Sequence, residues 1–154
     1  MGAVARLLPD GRLHLQHGPI DLIIRAKGAH EVAFAAARAR FETLLEELVA
    51  ELPLLRRAVG DVPTGVVARR MVSAVRPYGA QFVTPMAAVA EEVLAAMVAA
   101  GPLSRAFVNN GGDIAFHLGE GARFRMAVAG LDGADLGRID VGFAGVARGV
   151  ATSG

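Results

Sequence analysis

Alternation of apolar and polar positions opens the chain. In "RLHLQHG", Leu13 and Leu15 alternate with His14 and Gln16, the pattern of a half-buried strand. "GP" at positions 18–19 punctuates the run, and "IDLIIRA" predicts a second strand, so the two form a hairpin. The period then changes. Phe34, Ala37, Phe41, Leu45, Leu48 and Leu52 recur at spacings of three or four, which predicts one apolar stripe over about five helical turns. Arg38, Glu42 and Glu46 fall together on another face, and Pro53 ends the regular pattern. A shorter helix is predicted at "GVVARRMVSAV", capped by Thr64, with Val67, Met71 and Val75 inward and Pro77 at its close. A third starts at "TPM": Thr84 caps it, Pro85 suits the first helical position, and Met86, Val89, Val93 and Met97 mark its apolar face. Gly101 and Pro102 end it.

From residue 103 the pattern returns to short β-leaning runs, "RAFVNN", "DIAFHL", "RFRMAVAG" and "GRIDVGF", separated by glycine-rich turns, with "LDGADLG" as a loop. The order strands, helices, strands predicts an α+β fold: a mainly antiparallel sheet with about three helices packed on one face. No repeat or low-complexity linker interrupts residues 1–154, which read as a single domain. The sequence stops at "GVATSG", just after an expected strand, and this reads as a domain incomplete at its C-terminus.

Composition narrows the function classes. The chain has 154 residues, 53% of them hydrophobic, enough for a core of its own. No apolar run reaches the length of a membrane span, because Glu91 and Glu92 split the longest candidate. The first twenty residues hold no apolar core of a signal peptide, so a cytoplasmic protein is expected. Cysteine is absent, which removes disulfides, thiolate metal sites and a cysteine nucleophile. A net charge of +1, one tyrosine and no tryptophan give no footing for nucleic acid or an anionic membrane as partner.

Five features carry candidate chemistry. The first is "NNGGD", comprising Asn109, Asn110, Gly111, Gly112 and Asp113. Asn-Gly between apolar runs is a strong hairpin signal. The same backbone, with successive amides, also suits an anion, and Asp113 could accept from a ribose hydroxyl or hold a cation. Two consecutive glycines exceed what a two-residue hairpin is expected to need. The second is "ATSG", where Thr152, Ser153 and Gly154 read either as a polar strand end or as a phosphate contact. Third, Arg56, Arg57, Arg69, Arg70 and Arg76 form a loose basic cluster, either a solvated helix face or a phosphate patch. Fourth are the histidines: His14 and His17 fall on opposite faces of a regular strand, His30 and His117 are isolated, and no metal site is expected from them. Fifth, the helix start at Thr84 and Pro85 would present free amides to an anion.

Read in order, "LHLQHGPIDLII", "ARFETLLEELVAELPLLR", "RMVSAVRP", "FVTPMAAVA", "VNNGGDIAFHL" and "GVATSG" resemble a family of uncharacterised bacterial and archaeal ApbE-like proteins. That family is distantly related to the ApbE-type FAD:protein FMN transferases, long labelled thiamine-biosynthesis lipoproteins. The resemblance spans nearly the whole chain and implies an α+β fold with a flavin nucleotide, FAD or FMN, in a cleft. It places Asn109, Gly111, Gly112 and Asp113 in that cleft, with Thr152, Ser153 and Gly154 nearby. The transferases use Mg²⁺ to split the FAD pyrophosphate and move FMN onto a protein hydroxyl. Their lysine-containing "GxxKG" helix start corresponds here to "TPMAAVAEEV", which has no lysine. The closer family's short Gly-Ala-rich insertion before "EEV" is also missing. The transferases' metal-binding Asp and Thr follow the "TSG" segment, where this sequence stops, so Mg²⁺ is expected only if a further segment is supplied.

The expectation is therefore a protein that binds a flavin or related nucleotide in a cleft lined by the two motifs, with no flavin transfer by this chain alone. Two alternatives stand beside it. One is a non-catalytic structural or regulatory subunit, a homo-oligomer or a fragment completed by a C-terminal partner chain. The other is a different nucleotide- or pterin-type enzyme on the same fold.

Overall fold

The computed structural model describes residues 2–55, 64–66, 68–69, 88–130, 132–145 and 148–150. Strands β1 (Val4–Leu7), β2 (Leu13–His17) and β3 (Ile20–Gly28) precede helix α1 (His30–Leu55). Helix α2 (Ala88–Ala100) leads into β4 (Leu103–Asn110), β5 (Asp113–Leu118), β6 (Arg123–Ala129), β7 (Asp135–Gly142) and β8 (Gly149–Val150). Six strands form one sheet in the order β1-β2-β3-β4-β5-β8, and β6 pairs with β7 in a separate hairpin. Every pairing is antiparallel. The fold is α+β, as the order of patterns predicts.

Among the described residues there are two helices rather than about three. Most of the shorter helix expected at 65–75 lies outside them. What is described there is one helical hydrogen bond, from the Arg69 amide to the Gly65 carbonyl at 2.9 Å. The described residues Val66, Ala68 and Arg69 are helical. The helix expected to begin at Thr84 is described from Ala88 onward. α1 continues two residues beyond Pro53, to Leu55. So close to the end of a helix, a proline removes one backbone bond without stopping the last turn.

Alternation decides which side chains meet the helices. Leu13 and Leu15 of β2, Ile20, Leu22 and Ile24 of β3, and Ala106 and Val108 of β4 are all buried on one face. Ala33, Phe34, Ala37, Phe41, Leu44 and Leu48 of α1 pack against that face together with Val89, Val93, Leu94 and Met97 of α2. The other face carries Ile23 and Ile114 near the β4–β5 turn and a covered aromatic cluster further along. Phe107, Phe116 and Leu118 project there, and Phe124 of the β6–β7 hairpin closes over them. Its ring centroid lies 5.9 Å from that of Phe107 and 5.6 Å from that of Phe116, both edge to face. β5 is consequently buried on both sides, Ala115 towards the helices and Phe116 towards the hairpin.

One crossing ties the layers together. The Ala29 amide donates to the Pro102 carbonyl at 3.0 Å, so the chain entering α1 touches the chain leaving α2. Gly28 has φ +119°, and a Cβ there would lie 2.7 Å from the Pro102 oxygen. Both the backbone angle and the space require glycine. Gly28→Ala is expected to lower stability by about 1–3 kcal/mol, read from urea unfolding. A loss of a few tenths would show that the backbone gives way at this point.

Arg40 holds α1 against α2. Its two terminal nitrogens donate to the two carboxylate oxygens of Glu47, each at 2.8 Å, and Nε donates to Glu92 Oε1 at 3.1 Å. The hydrogen bond from Arg40 holds the Glu47 carboxyl below its usual range, against the opposing effect of partial burial. A depressed carboxylate stabilises the fold above its unfolded pKa, and that contribution fades as pH falls through the folded value. Glu47→Gln should therefore melt below wild type at neutral pH, with the gap closing once the pH drops below the ordinary glutamate range. A gap that persists unchanged into strong acid would refute the ionic origin.

Candidate functional site

The "NNGGD" stretch forms the β4–β5 turn. Asn110 pairs with Asp113 as the last rung, leaving Gly111 and Gly112 as a two-residue loop. Their φ angles are +60° and +108°. Positive φ at both loop positions is what a type I′ hairpin demands, and its twist suits the flanking strands. The second glycine is not in excess, contrary to the sequence-based expectation: each glycine meets a requirement of the turn.

Asn109 secures the turn from within. Its side-chain oxygen accepts a hydrogen bond from the Gly112 amide at 2.8 Å. That amide is therefore not free for an anion, and the expected nest loses one of its donors. Asn109 sits opposite Ile23 and Ile114, on the sheet face away from the helices. Asn110 and Asp113 have the other parity. They align with Leu22 and so share the face on which the helices pack. Both are half-buried. Of the five motif residues, these two are presented at the helical rim of the sheet, and the other three shape the turn.

Other described elements reach the same rim. His17, at the end of β2, has the parity of Leu13 and Leu15 and therefore faces the helices. Its ring lies 6.3 Å from that of Phe41, and its Nδ1 is buried without a hydrogen-bond partner among the described residues. Helix α2 joins β4 through only Gly101 and Pro102 and packs back across β4 and β5. Its beginning is thus carried towards the end of β4, with its positive dipole end foremost. β8 pairs Gly149 with Ala115 and Val150 with Ile114, so it runs towards Asp113. Thr84, Pro85, Thr152, Ser153 and Gly154 lie outside the described residues.

The remaining candidates separate. His14 Nε2 bonds to Asp21 Oδ1 at 2.9 Å on the face away from the helices, and the expectation of opposite faces for His14 and His17 holds. His117 donates from Nε2 to the Leu103 carbonyl at 3.0 Å, and His30 lies 3.3 Å from the Gly28 carbonyl through Nδ1. No group of three or more metal-ligating side chains converges among the described residues. Of the arginine cluster only Arg69 is described. No described helix is long and apolar enough to cross a membrane.

His17 is a residue of this rim that metal-ligand reasoning does not single out. The signal was present, since a period of two in "LHLQH" puts it on the buried face.

The family model described as AbpE bacteria matches residues 5–154. The chain belongs to the AbpE bacteria family. This is a different family from ApbE, so the expected membership of an ApbE-like family is overturned, and no link to the flavin transferases comes with it. Comparison with curated proteins and with solved structures finds no match. The two glycine-rich motifs were the most specific parts of the resemblance, and the turn geometry accounts for the glycines of the first.

In this AbpE bacteria chain the Asn109–Gly112 bond is a turn device with a measurable weight. Asn109→Ala should cost about 1 kcal/mol in urea unfolding, the usual net value of such a bond. An unchanged midpoint would mean that water replaces the side chain without loss.

Proposed function

We propose that this chain is a binding domain for a nucleotide-like small molecule, flavin nucleotides included, seated where β4 turns into β5. The carrying observation is the parity of the turn: Asn110 and Asp113 come up half-buried on the helical face, at the same end of the sheet as His17. A hairpin needs no carboxylate in the position of Asp113. There it could accept from a ribose or ribityl hydroxyl, and the Asn110 amide can both donate and accept. α2 runs back over β4 and β5 towards that rim, and the positive end of its dipole would favour phosphate. Binding is the function proposed, and no group transfer is assigned to these residues.

Mass spectrometry of the gently purified protein should find a nucleotide-like ligand. Titration with FAD, FMN and ATP should then show binding of at least one that weakens about tenfold in Asp113→Asn, a loss typical of a hydrogen bond to a charged acceptor. Absence of any nucleotide binding, or an affinity indifferent to the substitution, would exclude this reading.

A further inference from the structure

A groove lies on the opposite face of the sheet. β3 and β4 form its floor, the β1–β2 turn at Asp10 and Gly11 makes one wall, and Phe124 and Arg125 of the β6–β7 hairpin make the other. The groove encloses about 580 Å³. That lies within the range of about 300–1,000 Å³ usual for small-molecule sites.

Charge in this groove is unbalanced. Arg25, Lys27, Arg105 and Arg125 line it, against the single carboxylate of Asp10. Asp10 is already engaged, 2.6 Å from Arg12 and 3.7 Å from Arg25. Arg125 is paired with Asp140 at 3.3 Å. Lys27 and Arg105 have no carboxylate within ion-pair distance among the described residues. They are also register partners, directly opposite each other on β3 and β4. Like charges in directly opposite positions destabilise an antiparallel pair.

The backbone holds this arrangement in place. The β3–β4 register shifts immediately after Lys27, and the Ser104 hydroxyl donates to the Lys27 carbonyl at 3.1 Å. Bulges of this kind occur next to binding sites, where they re-aim a side chain. The Arg105 guanidinium reaches the Arg123 carbonyl at 3.4 Å, which directs it along the hairpin wall. Phe107 and Phe124, packed edge to face, give the same groove an aromatic surface.

We propose that the groove between β3, β4 and the β6–β7 hairpin binds a small organic phosphate, with its dianion between Lys27 and Arg105 and its apolar body against Phe107 and Phe124. A phosphate monoester fits the charge, since it carries up to two negative charges and three acceptor oxygens for a guanidinium and an ammonium. It would also relieve the repulsion between the two cations. The site is separate from the Asn110–Asp113 rim. Arg25 and Lys27 have the opposite parity to Leu22, and Lys27 lies at the other end of β3.

The test uses phenyl phosphate as probe, followed by the backbone amide NMR spectrum of the intact chain. Millimolar phenyl phosphate should shift the amides of Arg25, Lys27, Arg105 and Phe107, whereas benzyl alcohol, which lacks the charge, should not. Arg105→Gln should weaken binding about tenfold. Lys27→Glu turns the repulsive pair into an attractive one, so it should melt at or above the wild-type temperature while losing the phenyl phosphate shifts. Wild type without shifts, shifts centred on Asn110–Asp113, or shifts that survive in Lys27→Glu would each overturn the proposal. Shifts at the turn would speak for the nucleotide rim instead, so the two sites are judged separately.

Discussion

The helical layer hangs from the point where Gly28 passes Pro102. Antiparallel pairing of β3 with β4 requires the long stretch between them to return to within one strand spacing, about 4.8 Å. It does so at a place with no room for a side chain, 2.7 Å from a carbonyl oxygen, on a backbone angle that only glycine adopts readily. α1 starts from this crossing and α2 ends at it. Both helices must therefore extend towards the opposite end of the sheet. α1, with 26 residues, is about 39 Å long and β3, with nine, about 30 Å, so the helix overshoots the strand. The β4–β5 turn lies at that far rim because the near one is occupied by the crossing.

Parity then divides the work between the two faces of the sheet. On the helical face most described side chains are aliphatic and buried; the polar exceptions are His17, Asn110 and Asp113 at the rim and His117, tied to the Leu103 carbonyl, at the other end. The other face is covered only where Phe124 lands on Phe107 and Phe116. Beyond those rings it keeps its cations solvated, at Arg25, Lys27 and Arg105. Asn109 and Asn110 show how sharply the division acts. They are neighbours of the same type, yet one ties down the turn through Gly112 and the other stands on the helical rim.

What was legible in the sequence follows from the same division. β2, β3, β4 and β5 could be read because one of their faces meets a continuous apolar layer, which leaves a period of two in Leu13 and Leu15 or Leu22 and Ile24. β1 left no such mark, since all four of its residues are exposed at a sheet edge, and β8 has only two residues. The α1 stripe was found, but Leu44 is fully buried where Leu45 was expected and Leu45 only partly, because a 3.6-residue repeat drifts against a count of fours. Arg40, Glu47 and Glu92 were not read as a group, since 45 residues separate the two glutamates and only packing brings them together. The groove cations were invisible for a similar reason: Lys27 and Arg105 become neighbours only through the β3–β4 register.

The glycine-rich motif shows where motif reading loses its force. A short string resembles another family's string whenever both meet the same backbone requirement, and a type I′ turn is a common one. In this chain Gly111 and Gly112 satisfy the two positive φ angles, and Asn109 satisfies an amide of the turn. Residues explained in this way carry no information about chemistry. Asn110 and Asp113 are different, because the positive φ angles of the turn place no demand on them, and both are directed to the side where the helices leave a rim. Support for a ligand at this turn thus contracts from five residues to two. It rests not on likeness to any flavin enzyme but on a carboxylate and an amide held half-buried at the rim of the helical face.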